Sequence, residues 1–433
     1  MTSVPLSTGE TATDLHKPSL SELFRVFFQI GCISFGGAAG QIALMHRMLV
    51  DERKWIAERD FVSGLNFCTL LPGPEAQQLA TYIGWRLHGL AGGAIAGLLF
   101  VLPGAALILL LAQLYAWGAN VPSVQAALLG VKAAVIAILI EAVLKIGKRA
   151  LGGNAFRMVA LVAFLAMMAF AVPFPIVILG AALAGLWIGV PPPPATAAAS
   201  TPIRLPWRAA ILCLALWWLP VLVAFLALGP THLLVEVGLF FSKLAVITFG
   251  GAYALLAYLS DQAVLRGWVS ATQMLDALGF AETTPGPTIL VNPFVAFLAG
   301  WQREGSGLVA WLAGLMALWT TFAPSFLWIF VGAPSLDRVN ANRALRSALA
   351  GISAAVVGII ATVGAKFAIL VLFPQARPWI LGPVQVLAPA GMPDLKALLL
   401  AGLALVLSFV LHWPMLRMLA TVTFAGLLLF FVT

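Results

Sequence analysis

The sequence predicts an all-α polytopic membrane protein made of two homologous, inverted helical repeats whose helices are broken at Pro-Gly-Pro. Three observations predict it. The 433 residues are 62% hydrophobic and only 9% charged, whereas a soluble domain carries about 25% charged residues. Apolar segments long enough to span a bilayer recur throughout, and in lipid their backbone must be satisfied internally. They do not alternate with period two, which excludes a β-barrel. Finally, one ordered set of motifs occurs twice. Phe35-Gly36-Gly37-Ala38 returns as Phe249-Gly250-Gly251-Ala252, Trp55 as Trp268, Leu65-x-Phe67 as Leu278-x-Phe280, and Pro72-Gly73-Pro74 as Pro285-Gly286-Pro287. The offset falls from 214 to 213 residues across this run, so a single gap aligns the halves.

Residues 1–19 form a polar tail without the charged, apolar and cleavage regions of a signal peptide. The first repeat is assigned to 20–190. It opens with an apolar stretch over about 23–44, interrupted at Phe35-Gly36-Gly37, and continues through a charged stretch from His46 to Asp60. Arg53-Lys54-Trp55 within that stretch reads as an interfacial anchor. Phe61 to Leu71 leads into Pro72-Gly73-Pro74, and Pro74 suits the first turn of the following helix, where its missing N–H is not needed. Spans over about 90–117, 121–147, 157–172 and 174–189 follow. Residues 191–206, with four consecutive prolines, read as an extended linker. A connecting helix covers 207–229, and the second repeat 230–433. Cys32, Cys68 and Cys213 all lie in apolar segments and read as buried small hydrophobes.

The net charge of +8 reads as basic cytoplasmic loops and not as a nucleic-acid surface. Arg338, Arg343 and Arg346 follow the long helix of the second half, whereas the matching loop near 117–123 has no basic residue. One span later the bias reverses, so matching loops face opposite sides. Six crossings, the lone span from Trp207 and six more would give this inversion. That count places His46–Asp60 outside despite its four basic residues, a conflict with the same rule. Re-entrant hairpins at the breaks would change the count and the parity.

Inverted repeats with discontinuous helices at matching positions are the architecture of secondary transporters. A helix starting at Pro74 or Pro287 directs free N–H groups and a positive dipole end at the break, which suits a small anion. The candidate substrate site therefore comprises Gly36, Gly37, Pro72, Gly73, Pro74 and Gln78 from the first half. Gly250, Gly251, Thr284, Pro285, Gly286, Pro287 and Asn292 come from the second. Arg25 and Lys243, in the first helices of the two halves, are candidate counter-charges. Glu75 and Glu282 flank the breaks, and a carboxylate at membrane depth is costly enough to suggest proton coupling or gating. No Walker-type loop, H-E-x-x-H or G-x-S-x-G is present, and the five histidines are scattered. Neither an enzyme, a metal site nor a cofactor is expected. Membrane lipid and a small oxyanion are the expected partners, nucleic acid is not, and a homodimer is left open.

Phe35-Gly36-Gly37, Arg53-Lys54-Trp55, Leu70-Leu71-Pro72-Gly73-Pro74-Glu75-Ala76-Gln77-Gln78-Leu79-Ala80, Gly84-Trp85, His88-Gly89 and Leu102-Pro103-Gly104 resemble the chromate ion transporters in their long, two-domain form. Phe249-Gly250-Gly251 and Thr284-Pro285-Gly286-Pro287 are the weaker second copy. The resemblance implies export of chromate from a bacterial cytoplasm across the inner membrane, chromate resistance, sulfate as a structural mimic and energy from the proton motive force. Transport of sulfate or another tetrahedral oxyanion, including uptake, is the alternative. A membrane-embedded enzyme or lipid-handling protein is a more distant one. The second half departs from the first at Thr288, where Glu75 stands, and at Ala323-Pro324-Ser325, where Leu102-Pro103-Gly104 stands.

Overall fold

Each half opens with two pairs of helices, and the helix lengths decide the topology. The computed structural model describes residues 16–190, 206–249 and 252–432. α1 (Leu20–Ile33) is separated from α2 (Gly37–His46) by Ser34-Phe35-Gly36, and α3 (Glu58–Leu70) from α4 (Glu75–Gly118) by Leu71-Pro72-Gly73-Pro74. α1 has 14 residues and α3 has 13, about 20 Å at 1.5 Å per residue against a hydrocarbon layer of about 30 Å. α4 bends at His88 and Gly89, where φ is −139° and 61°, so its first part is equally short. None of these pieces reaches across.

They return to the side they entered from. The His16 N–H donates to Lys54 O at 3.2 Å, tying the start of α1 to the end of its partner. Arg86, at the bend of α4, pairs with Asp60, at the start of α3, at 2.8 Å. His88 Nε2 lies 2.7 Å from Pro18 O. Both pairs are re-entrant hairpins with a common base, held further by His46 against Asp51 (3.2 Å) and Glu58 (2.5 Å).

From the bend, α4 runs to Gly118 and α5 (Pro122–Ala150) returns. α6 (Asn154–Ala169), α7 (Phe174–Ile188) and α8 (Trp207–Leu228) follow. The second half repeats the two hairpins as α9 (Leu233–Ile247) with α10 (Ala252–Leu265), and α11 (Ala271–Thr283) with α12 (Val291–Glu304). Glu236 of α9 ties their bases, binding Arg266 at 3.0 Å and Arg303 at 2.9 Å. α13 (Gly307–Gly332), the short α14 (Leu336–Ala341) and α15 (Arg343–Leu372) come next. An exposed two-stranded hairpin, β1 (Arg377–Leu381) against β2 (Val384–Ala388), precedes α16 (Leu395–Leu405), with its π-helical extension to Val410, and α17 (Met415–Val432). That hairpin is an addition to the expected all-helical architecture.

The two sets of hairpins enter from opposite sides. Tyr115 and Gln113, near the end of α4, bond Asp276 of α11 and Trp311 of α13, so the bases of the second half lie level with the far end of α4. Asn340, beyond α13, donates to Ser63 O of α3 at 3.2 Å, level with the bases of the first half. The repeats are inverted, as expected. Among the described residues six helices are long and apolar enough to cross: α4, α5, α8, α13 (with the turn after it), α15 and α17. Three shorter apolar pieces, α6, α7 and α16 with its extension, run between the same levels. α6 and α7 lie along α15 through Thr362–Phe164 O and the close approach of Gly185 to Gly351. α16 reaches Glu141 of α5 through Ser408. Among the described residues this gives four crossings, the single crossing of α8, and four more.

The predicted count of six, one and six is therefore corrected, because the breaks at Phe-Gly-Gly and Pro-Gly-Pro are tips of re-entrant hairpins and not points within spans. The correction also removes the conflict over His46–Asp60. That stretch now shares a level with the basic loops at 145–157 and 336–346, while the other level carries Arg266, Arg303, Arg377 and Lys396. By the positive-inside rule the first level is cytoplasmic. The linker expected at 191–206 lies, save for Pro206, outside the described residues. Cys68 and Cys213 are buried, Cys32 half-buried, and all three are free thiols.

In a cysteine-free background, Glu52→Cys is expected to react with an impermeant maleimide only from the cytoplasmic face, and Thr272→Cys only from the outer face. Labelling of both from one face would show parallel repeats. His46 supplies a second prediction. Burial works against its charge, but the Glu58 and Asp51 carboxylates outweigh it and raise the imidazole above its usual value of 6.5. A raised folded-state value means that this contribution to stability is complete below 6.5 and fades as pH rises through the raised value. The thermal stability of the purified protein should therefore fall over that interval, and less so in His46→Gln.

Candidate functional site

The hairpin tips leave backbone groups unpaired at membrane depth, where each would cost several kcal/mol. The structure pairs them across the two halves. The Gly73 N–H donates to Thr248 O at 2.9 Å, and the Gly286 N–H donates to Ser34 O at 2.8 Å. Thr248 and Ser34 occupy matching positions directly before the two Phe-Gly-Gly sequences, so each Pro-Gly-Pro tip is bonded to the Phe-Gly-Gly tip of the other half. Both acceptors are set in the same way: Ser34 Oγ donates to Ile30 O and Thr248 Oγ1 to Leu244 O, each at 2.6 Å. Gly73 and Gly286 have φ of 115° and 100°, which only glycine adopts without strain.

Side chains complete the junction. Gln78 Nε2 donates to Pro72 O at 2.7 Å, and Gln41 Nε2 to Gly286 O at 2.6 Å. In the second half Asn292 Nδ2 donates to Thr321 Oγ1 at 3.0 Å, and in the first Gln77 Nε2 donates to Thr81 Oγ1 at 3.2 Å. The long helices contribute from behind. A Cβ at Gly104 would stand 1.9 Å from Pro285 O, while Ser325, its counterpart on α13, lies beside Gly73. Ser34, Gln41, Gln77, Gln78, Thr248, Glu282, Thr284, Thr288, Asn292 and Ser325 are all buried. Among them the amide oxygens of Gln41, Gln77, Gln78 and Asn292 have no partner. A polar layer with unused hydrogen-bonding capacity thus lies at the centre of an apolar protein.

Four helices, α2, α4, α10 and α12, start immediately after the four tips or within a short turn of them. At the start of α4 the first N–H groups have no intrahelical acceptor, and the first helical backbone bond closes from Gln78 N to Pro74 O. Helix N-termini supply N–H donors and positive potential without a net charge. Glu75, the first residue of α4, is half-buried; its side chain makes no hydrogen bond or close ion pair among the described residues, and the Arg149 guanidinium at the end of α5 acts on it electrostatically.

Of the residues predicted for the site, the structure gathers Pro72, Gly73, Pro74, Glu75, Gln78, Glu282, Thr284, Pro285, Gly286, Pro287 and Asn292 at these tips. Gly36 and Gly37 form the α1–α2 tip, with Gly36 in the left-handed region at φ 91°. Gly250 and Gly251 lie outside the described residues. Arg25 and Lys243 are corrected. Arg25 is exposed opposite the face of α1 formed by Leu23, Val26, Phe27 and Ile30, and Lys243 lies on the exposed stripe of α9 with Leu239 and Val246. Neither is brought to the junction. The sequence reading missed Ser34, Thr248, Gln41, Gln77 and Ser325. The paired hydroxyl residues before each Phe-Gly-Gly were a visible signal, at the same 214-residue offset, but the cross-half bonds were not.

The chromate transporter family pattern matches residues 21–186 and 235–430, hence both halves. A chromate transport protein of Pseudomonas aeruginosa is 34% identical over 372 residues, 82% of this chain and 83% of that protein. A chromate transport protein of Cupriavidus metallidurans is 29% identical over 353 residues, covering 79% and 81%. A probable chromate transport protein of Synechococcus elongatus is 28% identical over 396 residues, 90% of each. No solved structure matches the chain. With the motifs, the inverted repeats and these relatives in agreement, the chain belongs to the chromate transporter family and is a multi-pass protein of the bacterial inner membrane.

Proposed function

We propose that the chain carries chromate across the inner membrane by alternating access, exports it from the cytoplasm and so confers chromate resistance. The observation that carries this reading is the reciprocal junction of re-entrant tips from oppositely oriented halves. Such a junction can be covered from one side or the other by rocking the halves, and its helix starts offer donors to a tetrahedral oxyanion from several directions. Sulfate has the same charge and shape and is the natural competitor.

Export needs no nucleotide. A dianion moving outward from a negative-inside cytoplasm goes down the electrical gradient and is driven by about 2.3 kcal/mol per charge per 100 mV. Glu75 enters through electrostatics: an ionised carboxylate and a dianion at one helix start repel, so occupancy by chromate favours protonated Glu75. A dianion leaving with one proton still carries net negative charge outward. The electrical part of the proton motive force therefore still drives it, and Glu282, buried on α11, lies within the same layer. Thr288 in place of Glu75 confines this linkage to one tip.

Everted vesicles containing the protein should accumulate chromate when energised, with sulfate competing and an uncoupler abolishing uptake. Accumulation no greater than in vesicles without the protein would end the export reading. Glu75→Gln is expected to fold but to transport about tenfold more slowly (about 1.4 kcal/mol) and with a flattened pH dependence. Wild-type rates and an unchanged pH profile would remove Glu75 from the mechanism. Gly104→Ala should disrupt the junction, because its Cβ meets the Pro285 backbone. Overpacking costs about 1–3 kcal/mol where side chains can yield, and a backbone oxygen yields less. Ser325→Ala, at the matching position, should remain near wild type in thermal stability.

A further inference from the structure

A second polar feature lies apart from the junction, on the outer side. A cavity of about 650 Å³ opens between the end of α4, the starts of α5, α11 and α16, and the end of α17. Into it project Lys132 of α5, Asp276 of α11 and Lys396 of α16, with Gln125 and Gln273 nearer its mouth. Asp276 is 2% exposed. Its Oδ2 accepts from the Tyr115 hydroxyl at 2.9 Å and faces Lys132 Nζ at 3.3 Å, while its Oδ1 is buried without a partner. Asp276 precedes Thr284 by eight residues, about 12 Å along a helix, so the cluster stands between the outer solution and the tip of the α11–α12 hairpin.

The internal repeat shows that the fold does not need these groups. With Pro103 aligned to Pro324 and Gly130 to Gly351, Tyr115 corresponds to Leu336 and Lys132 to Ser353. The hairpin alignment places Asp276 against Ser63. In the cytoplasmic copy the three positions of the cluster itself carry a leucine and two serines, so no charge stands where Lys132 and Asp276 do. A buried ion pair with one orphaned oxygen is a poor stabilising device, and intramembrane charges mark ion pathways.

We propose that Lys132 is a second oxyanion subsite in this outer vestibule, masked by Asp276 and unmasked when a proton from the vestibule water neutralises that carboxylate. Lys132 then exchanges a carboxylate partner for the tetrahedral dianion passing to or from the junction, whichever way transport runs. The other charged groups on elements packed against α11 are occupied elsewhere or lie outside the cavity. Arg266 and Arg303 bind Glu236, Asp261 faces Lys366 at 3.6 Å, and Glu304 is exposed. The vestibule proposal rests on the chain being an oxyanion transporter.

The test places a reporter cysteine at Gln125, two turns from Lys132 on the same face of α5, in a protein lacking Cys32, Cys68 and Cys213. In right-side-out vesicles, the ratio of modification rates by an anionic and a neutral thiol reagent cancels thiol ionisation and reads the local potential. The ratio is expected to be several-fold higher at pH 5.5 than at pH 8, and sulfate should lower it at pH 5.5. Asp276→Asn should keep it high and sulfate-sensitive at both pH values. Tyr115→Leu together with Lys132→Ser and Asp276→Ser, the residues of the cytoplasmic copy, should fold and keep the ratio low throughout. A ratio indifferent to pH, sulfate and both variants overturns the subsite. Chromate accumulation by everted vesicles of the same protein separates the two readings. Transport without the electrostatic response overturns the subsite alone, and the response without transport overturns the transport reading alone.

Discussion

A helix that stops inside a bilayer leaves backbone groups that lipid cannot satisfy, and this constraint organises the molecule. Four helices stop in this way. Their tips are stabilised by crossing over, Gly73 N–H to Thr248 O and Gly286 N–H to Ser34 O. Neither half could close its own tips by these bonds, so the halves must be inverted, joined by an odd crossing and packed face to face. The glycines follow from the same requirement. Gly73 and Gly286 supply the turn, and Gly104 admits the Pro285 carbonyl against the back of α4.

Much of this was legible in the residues. Pro-Gly-Pro in two places at one offset marks paired breaks, and the basic loops mark inverted halves. What the sequence did not reveal was whether a break interrupts a span or turns it back. Apolar length is the same for a broken 25-residue span and for a two-legged hairpin. The distinction lies in long-range contacts such as Arg86–Asp60 and Glu236–Arg303, which join residues 26 and 67 positions apart. The unresolved sign of the His46–Asp60 loop was the trace this left in the sequence. Arg25 and Lys243 were misplaced for a related reason: a cation in an apolar segment reads as interior until the helix face it occupies is known.

The internal repeat also separates framework from function. Ser34 and Thr248, the two Pro-Gly-Pro turns, and the glycines that let α5 and α15 approach α17 and α7 are kept in both halves, as a symmetric scaffold requires. Glu75 against Thr288, and Lys132 with Asp276 and Tyr115 against Ser353, Ser63 and Leu336, are not kept. The other copy of the frame folds with uncharged residues at these positions.

That the tips themselves, among the described residues, carry no lysine or arginine has its own logic. Among the described residues no lysine or arginine is fully buried. The groups gathered at the tips are N–H dipoles, amides and hydroxyls, with the two carboxyl groups of Glu75 and Glu282. A fixed cation at membrane depth would bind a dianion tightly, because Coulomb attraction grows as the dielectric falls, and a tightly held ion is released slowly. Dipolar donors bind more weakly and impose no net charge on the empty site, so the halves can rearrange without moving a buried cation through hydrocarbon. The charge needed to draw an anion toward the junction can then be placed at a distance, on a lysine whose carboxylate partner withdraws it when no anion is needed.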